Sequence, residues 1–491
     1  MFRNGYYWQW FLLLLGGVTW GMAQENGERY RLGEDTIFLG DEYFFRESED
    51  DSVESVETDW SDELAELKEE ERGWPWKYQP EEELQNATQA GGRIHLRGSF
   101  FQQNDSSWED TWELQRARIY LHSHFSHHFV GKFLAAMFCS MIGVEDAFDF
   151  SDGQEVMDGS YGYGKVELDF AGGKILPRDI YLKWKARGKW PSWQIGYFKE
   201  SLGLGILTSS NDLWFLERSI PERAMMQFAA DRALGTAWGN EFHEGALLWN
   251  VGYYYRCQTD WEGDFLTNHG HGPTFRLVGR LYEDEAESLR IHLGIGYGMK
   301  FWEADKPFSL EMGWGNRAED IFLATGNLIG TKVTHTLAPE FLWTWGSLAL
   351  QAEYYGTFLE NDALGTLFFQ GATIQIAYWL TGETSVYAPL RGVPGRVTPR
   401  RKVLHYHDGD WDFRTGPGAV QLAYRFSWFD ASEAPHFLAG NVWEHAVGLN
   451  WVLTSHWRIL TEYTFSTREY PPLGRGQDSC HAVAVGMQFY Y

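Results

Sequence analysis

The 491-residue sequence has little cysteine and only one long apolar run. Its three cysteines, Cys139, Cys257 and Cys480, form no CxxC pair and lack the spacing of a zinc site, which argues against a disulfide framework or a structural zinc centre. We expect them to behave as small buried or half-buried apolar residues. The sequence also contains no G-x-S-x-G, P-loop or H-E-x-x-H motif, so nothing predicts an enzyme, a cofactor or a bound metal.

The apolar run lies at the N-terminus. Arg3 precedes an apolar stretch from Trp8 to Val18, and Gly21-Met22-Ala23 has the small-x-small pattern of a cleavage site. This arrangement predicts a secretory signal peptide over residues 1–23. A membrane anchor is the alternative interpretation, but the stretch is shorter than the ~20 apolar residues that a spanning helix needs. We therefore expect an exported protein without a transmembrane helix.

Residues 24–90 are far more acidic than the rest of the sequence. They hold 22 Asp and Glu against 6 Lys and Arg, a net charge of −16 within the whole-chain −27. We expect this segment to be a solvated acidic linker. The alternative is a short oligomerising helix over SDELAELKEEE, with Trp60, Leu64 and Leu67 on one side.

From residue 91 to residue 491 the sequence consists of segments with period-two alternation, separated by Gly, Pro, Asn and Asp. In ATIQIAYWL, for example, Ile374 and Ile376 alternate with Thr373 and Gln375. The segments run for ~9–13 residues, which matches a tilted strand through hydrocarbon, whereas strands in soluble sheets usually have ~5–6 residues.

Two further features favour a membrane barrel over a soluble sandwich. Aromatic residues make up 17% of the sequence and cluster towards segment ends, as at Trp428. Very short connections (187–188 and 346–347) and long ones (302–330 and 384–416) both occur, as expected if periplasmic turns differ from external loops. About 15 to 17 segments can be placed, and closed bacterial barrels prefer even numbers. We therefore predict an all-β fold, a transmembrane antiparallel β-barrel of about 16 strands behind the acidic extension.

Several motifs resemble those of the phosphate-selective porin O/P family. WQIGYFKESLGLGILTSSNDLWFLERS, residues 193–219, resembles the family's GQFK-like turn followed by an S-x-x-L-x-F-M-E-R-S-like segment. RARIYLHSHF, LAPEFLWTWGSLALQAEYYG, IQIAYWLTGETSVY and AVGLNWVLTSHWRILTEYTF resemble other strands and hairpins of that family, in the expected order over residues 91–491. The resemblance implies a 16-stranded, trimeric outer-membrane channel in which Arg and Lys side chains pass anions, phosphate above all.

One property departs from that expectation. Subtracting Arg3 and the acidic segment from the whole-chain charge leaves −12 for residues 91–491. Selectivity, however, depends on the field inside a narrow pore. If alternation assigns the faces correctly, basic side chains outnumber acidic ones on the inner face, where a guanidinium can replace the hydration that phosphate loses. The predicted pathway residues are Arg116, Arg118, Lys183, Lys185, Lys199, Arg276, Arg280, Arg290, Lys300, Arg425 and Arg458. The alternative is that each pairs with a lumenal carboxylate and braces the wall.

The segment 199–232 does not alternate cleanly and contains the strongest family motif. We expect a constriction loop folded against the inner wall, with Arg218, Arg223 and Arg232 at the narrowing. A long external loop without a role in the channel is the alternative.

Two polar clusters could be interpreted as metal sites, but ordinary strand and loop residues of a barrel are the expectation for both. HSHFSHH, residues 122–128, puts His122 and His124 on one strand face, but polar lumen residues are the expectation. DFSDGQEVMDG, residues 149–159, offers oxygen ligands without EF-hand spacing, and a solvated loop is expected.

The C-terminal stretch HAVAVGMQFYY predicts a last barrel strand that pairs with the first, near Arg93–Phe101, and closes the barrel. Phe489 and Tyr491 at its end resemble the signal that the barrel assembly machinery reads.

The sequence therefore predicts a porin of the bacterial outer membrane, surrounded by outer-membrane lipid, for passive diffusion of small anions such as phosphate or polyphosphate. A homotrimer is the expected assembly. The alternatives are a general or oligosaccharide diffusion channel, a non-transport envelope scaffold and, third, a barrel enzyme with a Ser–His pair such as Ser209 and His243 at its rim. No cofactor, metal or nucleic-acid partner is predicted.

Overall fold

The computed structural model describes residues 88–490 except for 105, 126–160, 172–173, 186–190, 231, 244, 260–264, 285, 314–320, 390, 404, 408–409, 413–415 and 470–476. Sixteen barrel strands run through this part of the chain. They are β1 (Thr88–Gln103), β2 (Glu109–Phe125), β3 (Tyr161–Ala171), β4 (Lys174–Lys185), β5 (Ser192–Lys199), β6 (Arg232–Phe242), β7 (Leu247–Thr259), β8 (Phe265–Asp284), β9 (Leu289–Phe301), β10 (Thr331–Trp345), β11 (Leu348–Asn361), β12 (Gly365–Trp379), β13 (Ala419–Asp430), β14 (Asn441–Val452), β15 (Trp457–Glu469) and β16 (Gln477–Tyr490).

These strands form one closed antiparallel barrel. Each strand pairs with its neighbours in sequence, and β16 returns to β1 with Arg93 opposite Tyr490 and Gln103 opposite Cys480. The prediction of a barrel with 16 strands is confirmed, as is the predicted seam between the last strand and residues 93–101. Tyr491, at the end of that seam, lies outside the described residues.

The strands carry their apolar side chains on the outside of the barrel. On β12, Ile374 and Tyr378 are 49% and 50% exposed, whereas Thr373 and Ala377 are each 1% exposed. A soluble protein would bury the apolar face instead. The outer face therefore matches a hydrocarbon surrounding, in which a closed barrel pairs its backbone N–H and C=O groups between neighbouring strands.

The connection from β5 to β6 folds into the barrel. It contains two short helices, α1 (Leu204–Leu207) and α2 (Ile220–Met225), and a π-helical turn (Met226–Ala230). The Ser219 side chain accepts a hydrogen bond from the Glu222 backbone N–H, and the Glu222 side chain accepts one from the Ser219 N–H. This capping box fixes where α2 begins. We call residues 200–230 the inserted segment.

Two other long connections leave the barrel at opposite ends, because successive strands run in opposite directions. Residues 302–330 join β9 to β10, at the end from which the inserted segment also leaves, and we call this the loop end. Residues 380–418 join β12 to β13 at the other end, beside the short connection 346–347, and we call this the turn end. The expectation that long connections belong to one end is therefore wrong for 384–416.

Each of these two connections contains a short hairpin, and each connection folds into the barrel. One pairs Glu311–Gly313 with Ile321–Ala324, and the other pairs Tyr387–Ala388 with Val393–Pro394. A third pairs His405–His407 with Asp410–Asp412.

An apolar core lies inside the barrel, between the inserted segment, the 302–330 connection and the wall. The Phe228 ring stacks on Phe308 and on Phe369, with 5.4 Å between centroids in each case. Met225, Phe322 and Tyr355 belong to the same core. It joins the inserted segment to wall residues such as Tyr355 and Phe369.

Several predictions fall on parts of the chain outside the described residues. They concern the signal peptide over 1–23, the acidic segment as far as residue 87 and the DFSDGQEVMDG stretch. Of the three cysteines, Cys480 is described as a buried free thiol. No helix among the described residues is long and apolar enough to cross a membrane.

Candidate functional site

The predicted basic residues lie in the lumen or in the segments folded into it. Eight of them are buried: Arg116, Arg118, Arg218, Arg223, Arg276, Lys300, Arg425 and Arg458. Six are half-buried: Lys183, Lys185, Lys199, Arg232, Arg280 and Arg290. Some of them belong to one or the other side of the barrel, and the rest contact the inserted segment or lie at the turn end.

On the side of β1 to β6, five cations share three carboxylates, and we call this cluster the basic network. Its carboxylates are Glu167, Asp169 and Asp179, and its cations are Arg93, Arg118, Lys165, Arg178 and Arg232. Glu167 lies 2.8 Å from Arg93 and 2.7 Å from Arg118. Asp179 lies 3.1 Å from Lys165 and 2.7 Å from Arg232. Five positive charges against three negative ones leave a surplus of two.

The sequence prediction missed Arg93, Lys165 and Arg178. The alternation that assigned the other faces carries the signal, since Arg93 stands next to the outward-facing Ile94 and Lys165 next to the outward-facing Val166. Applying the period-two test to GGRIHLRGSF and KVELDF would have placed Arg93 and Lys165 in the lumen.

Three predicted cations lie near the basic network. Arg116 is opposite His95 on the neighbouring strand and two residues before Arg118. Lys185 on β4 pairs with Glu241. No hydrogen bond or ion pair joins the Lys183 amine to any residue that the structure describes.

On the side of β8 to β15, the predicted cations are matched by carboxylates. Arg276 lies 2.5 Å from Glu340, and it also donates to the Gly392 carbonyl at 2.8 Å. Lys300 lies 2.7 Å from Glu200. Arg276 and Lys300 each hold an inward-folded connection to the wall, because Gly392 and Glu200 belong to such connections.

Arg425 lies between two carboxylates of this side. Its guanidinium is 3.0 Å from Glu444 and 3.6 Å from Glu462, and it donates to the Glu217 carbonyl at 2.7 Å. Glu462 in turn accepts from the Leu216 N–H at 2.9 Å. One cation therefore serves two carboxylates and the inserted segment at once.

Other predicted cations donate to backbone carbonyls. Arg218 donates to Thr208 at 2.6 Å, Arg223 to Gly313 at 3.2 Å and Lys199 to Ile206 at 2.9 Å. Arg458 donates to the carbonyls of Asn211 and Leu213. These contacts hold the inserted segment in shape and against the wall.

Two predicted cations meet at the turn end. Arg280 and Arg290 lie 2.8 and 2.5 Å from Glu283. Phe489, predicted to serve assembly, lies near this end with its ring centroid 4.6 Å from that of Trp457. Its role in assembly stays a prediction.

In the part of the chain that the structure describes, no group of three or more His, Cys, Asp or Glu could hold a metal ion. His122 is buried, with its ring centroid 5.0 Å from that of Tyr120. The side chain of His124 lies outside the described residues.

A closed barrel of 16 strands, apolar outside and charged inside, with a segment folded into its lumen, is the architecture of an outer-membrane porin. The family model of the phosphate-selective porins O and P matches residues 143–491. The chain therefore belongs to this family of channel proteins of the bacterial outer membrane, which are not enzymes. The RARIYLHSHF stretch, residues 116–125, lies upstream of the matched region.

Solved structures that are similar to this chain include the anion-selective porin from Comamonas acidovorans. It is 11% identical, with 83% of this chain and 100% of that chain covered and a TM-score of 0.47. The loop L8 deletion mutant of OmpT from Vibrio cholerae is 13% identical, with coverages of 83% and 99% and a TM-score of 0.46. The outer-membrane channel DcaP of Acinetobacter baumannii is 8% identical, with coverages of 84% and 99% and a TM-score of 0.44. A search of curated proteins found no match.

Proposed function

We propose that this porin conducts small anions by passive diffusion, with phosphate as the leading candidate solute. The observation that supports the proposal is the surplus in the basic network, where five cations share three carboxylates. The lumen wall on this side is positive although the whole sequence has a net charge of −27. Selectivity follows the local field inside the pore.

The shared carboxylates give the network a way to exchange partners. Glu167 contacts Arg93, Arg118 and Lys165, so no one of these cations has the carboxylate to itself. An arriving anion can take over part of that coordination without leaving a carboxylate unpaired. Such a site attracts an anion and also releases it, which conduction requires.

The chemistry of the cations favours phosphate among small anions. A guanidinium presents paired N–H donors that match two oxygens of one phosphate, whereas chloride offers a single centre. Arg93 and Arg118 lie on adjacent strands and meet at one carboxylate oxygen of Glu167. Their donors are therefore close enough to serve one phosphate together.

Substitutions at two residues of opposite charge test the pathway. Lys183→Gln removes a cation, and Asp179→Asn removes a carboxylate of the basic network. One unit charge at about 8 Å in water changes the energy of an ion by about 0.5 kcal/mol, which is a factor of about two. We expect K183Q to lower the phosphate-to-potassium permeability ratio about twofold, and D179N to raise it by a similar factor.

The measurement is the reversal potential in planar bilayers, with Lys332→Gln as the matched control. Lys332 is 54% exposed near the loop end, so its loss should leave the ratio unchanged. Equal effects of K183Q and K332Q would show that the basic side does not line the path. A pore that passes neutral oligosaccharides without charge preference would favour the general channel, and absence of conductance would favour a scaffold.

The homotrimer also remains a proposal for this chain. Native mass spectrometry of the porin in detergent should show a species with three chains. A monomer as the sole species would contradict it.

A further inference from the structure

Among the described residues, four tyrosine–histidine pairs lie on the outer side of the barrel. In each pair the tyrosine hydroxyl is within hydrogen-bonding distance of the histidine Nδ1. The pairs and their O–N distances are Tyr253–His271 (2.6 Å), Tyr297–His335 (2.8 Å), Tyr424–His445 (2.8 Å) and Tyr463–His481 (2.8 Å). The four tyrosine side chains are between 37% and 47% exposed, so the pairs are part of the surface.

All four pairs have the same geometry. The tyrosine stands on the first strand of a hairpin, and the histidine stands on the second, two residues nearer the loop end than the residue opposite the tyrosine. Tyr424, for example, is opposite Val447 and bonds to His445. The residues opposite the four tyrosines are Pro273, Leu337, Val447 and Val483.

The hairpin of β11 and β12 carries a fifth pair with glutamine in place of histidine. Tyr354 is opposite Ala372, and its hydroxyl donates to the Gln370 Oε1 at 2.8 Å. Each of the five strand pairs from β7–β8 to β15–β16 that are connected at the loop end therefore has one such pair. We call the five pairs the belt.

With the tyrosine hydroxyls as donors to the histidines, the belt presents N–H groups to its surroundings. A phenol that donates to Nδ1 leaves the proton of a neutral imidazole on Nε2. The Gln370 side chain, which accepts through its oxygen, keeps its amide N–H groups. Histidine and glutamine therefore act alike in the belt. Each accepts a hydrogen bond from the tyrosine and keeps an N–H group that can donate to another partner.

The belt lies towards the loop end of the apolar outer face. His335, His445 and His481 each stand four residues after the first residue of their strands, which begin at Thr331, Asn441 and Gln477 at the loop end. The next outward-facing residues towards the middle of the barrel are Leu337, Val447 and Val483, all exposed and apolar. Outward-facing aromatic residues such as Trp443 continue on the loop side of the belt, and such residues mark the depth at which the hydrocarbon of a bilayer gives way to lipid headgroups.

We propose that the belt binds the phosphate groups of lipids in the leaflet around the loop end. The phosphate oxygens of a headgroup lie at the depth where the belt offers donors, and the apolar residues below contact the acyl chains. A free phosphate ion would gain only the first of these contacts. Glu360, 4.0 Å from the His335 Nε2, competes for that donor, so the His335 pair should bind more weakly than the His445 and His481 pairs.

The test compares two lipids on the full-length porin in dodecyl maltoside. Phosphatidic acid, with an open phosphate, and phosphatidylcholine, with a shielded one, are titrated, and bound lipid is counted by native mass spectrometry. We expect phosphatidic acid to bind about tenfold more tightly. The variant H445L/H481L, which removes two of the five donors, should bind measurably less phosphatidic acid than the parent.

A second variant separates the donors from the fold. H445Q/H481Q keeps an acceptor and a donor at both positions, as Gln370 does, and should bind phosphatidic acid like the parent. His243→Asn, at an exposed turn at the opposite end, is the matched control and should also leave binding unchanged. Circular dichroism establishes that each variant is folded.

Three results would overturn the proposal. One is unchanged binding of phosphatidic acid by H445L/H481L, and another is equal binding of the two lipids by the parent. The third is displacement of phosphatidic acid by soluble glycerol phosphate at similar concentration, which would assign the site to a free phosphate ester rather than a lipid.

Discussion

A single added methyl group tests the packing of the inserted segment. A Cβ at Gly296 on β9 would lie 1.8 Å from the Leu202 carbonyl oxygen and 2.8 Å from its carbon. Ordinary contacts begin at 3.4 Å, so the two backbones would have to move apart by 3.4 − 1.8 = 1.6 Å. The obstacle is backbone on both sides, and no side-chain rotation relieves it.

The cost of Gly296→Ala follows from how firmly Leu202 is held. Leu202 is fully buried, and Glu200 two residues earlier lies 2.7 Å from Lys300, on the same strand as Gly296. Overpacking of this kind costs about 1–3 kcal/mol. We expect G296A to keep its barrel and to lose that amount of unfolding free energy in a denaturant titration. Its single-channel conductance should also change, because the inserted segment shifts across the lumen.

The matched control is Gly279→Ala on the neighbouring strand. A Cβ there meets its nearest atoms at 3.5 and 4.0 Å, so no displacement is needed. G279A should match the parent in conductance and stability. If G296A also matched the parent in both, the inserted segment would not pack against β9 as described.

Three further predictions concern the inserted segment, the wall and the seam. Ser219→Ala removes the cap of α2 and should cost about 1 kcal/mol of unfolding free energy in a denaturant titration; a loss near zero would show that the Glu222 contact does not set the start of α2. Arg425→Met leaves the buried Glu444 without its cation and should cost about 3–5 kcal/mol, where a neutral or stabilising effect would contradict the pairing. Deleting Tyr491 should reduce the fraction of protein recovered in the outer membrane, and normal recovery would count against an assembly signal.

The barrel and its faces could be predicted from the sequence because strand geometry is local. A period of two puts Ile374 and Thr373 on opposite faces of the strand whatever the rest of the chain does. The closing strand was predictable for the same reason, since Val483 and Val485 repeat that period.

The partners of the charged residues could not be predicted, because they depend on contacts far apart in the sequence. Arg93 and Glu167 are 74 residues apart and meet only because β1, β2 and β3 lie side by side in a fixed register. The contact of Arg276 with the Gly392 carbonyl needs the 380–418 connection to fold inward from the turn end. Alternation says nothing about either.

The sign of the reversal potential of the unmodified porin is the most direct test of the proposed function. A planar bilayer with a potassium chloride gradient separates anion from cation selectivity in one reading. The surplus of cations in the basic network predicts a reversal potential on the anion side, and replacing chloride by phosphate should retain that sign. A potential on the cation side would show that the acidic residues of the chain, not the basic network, govern the pore.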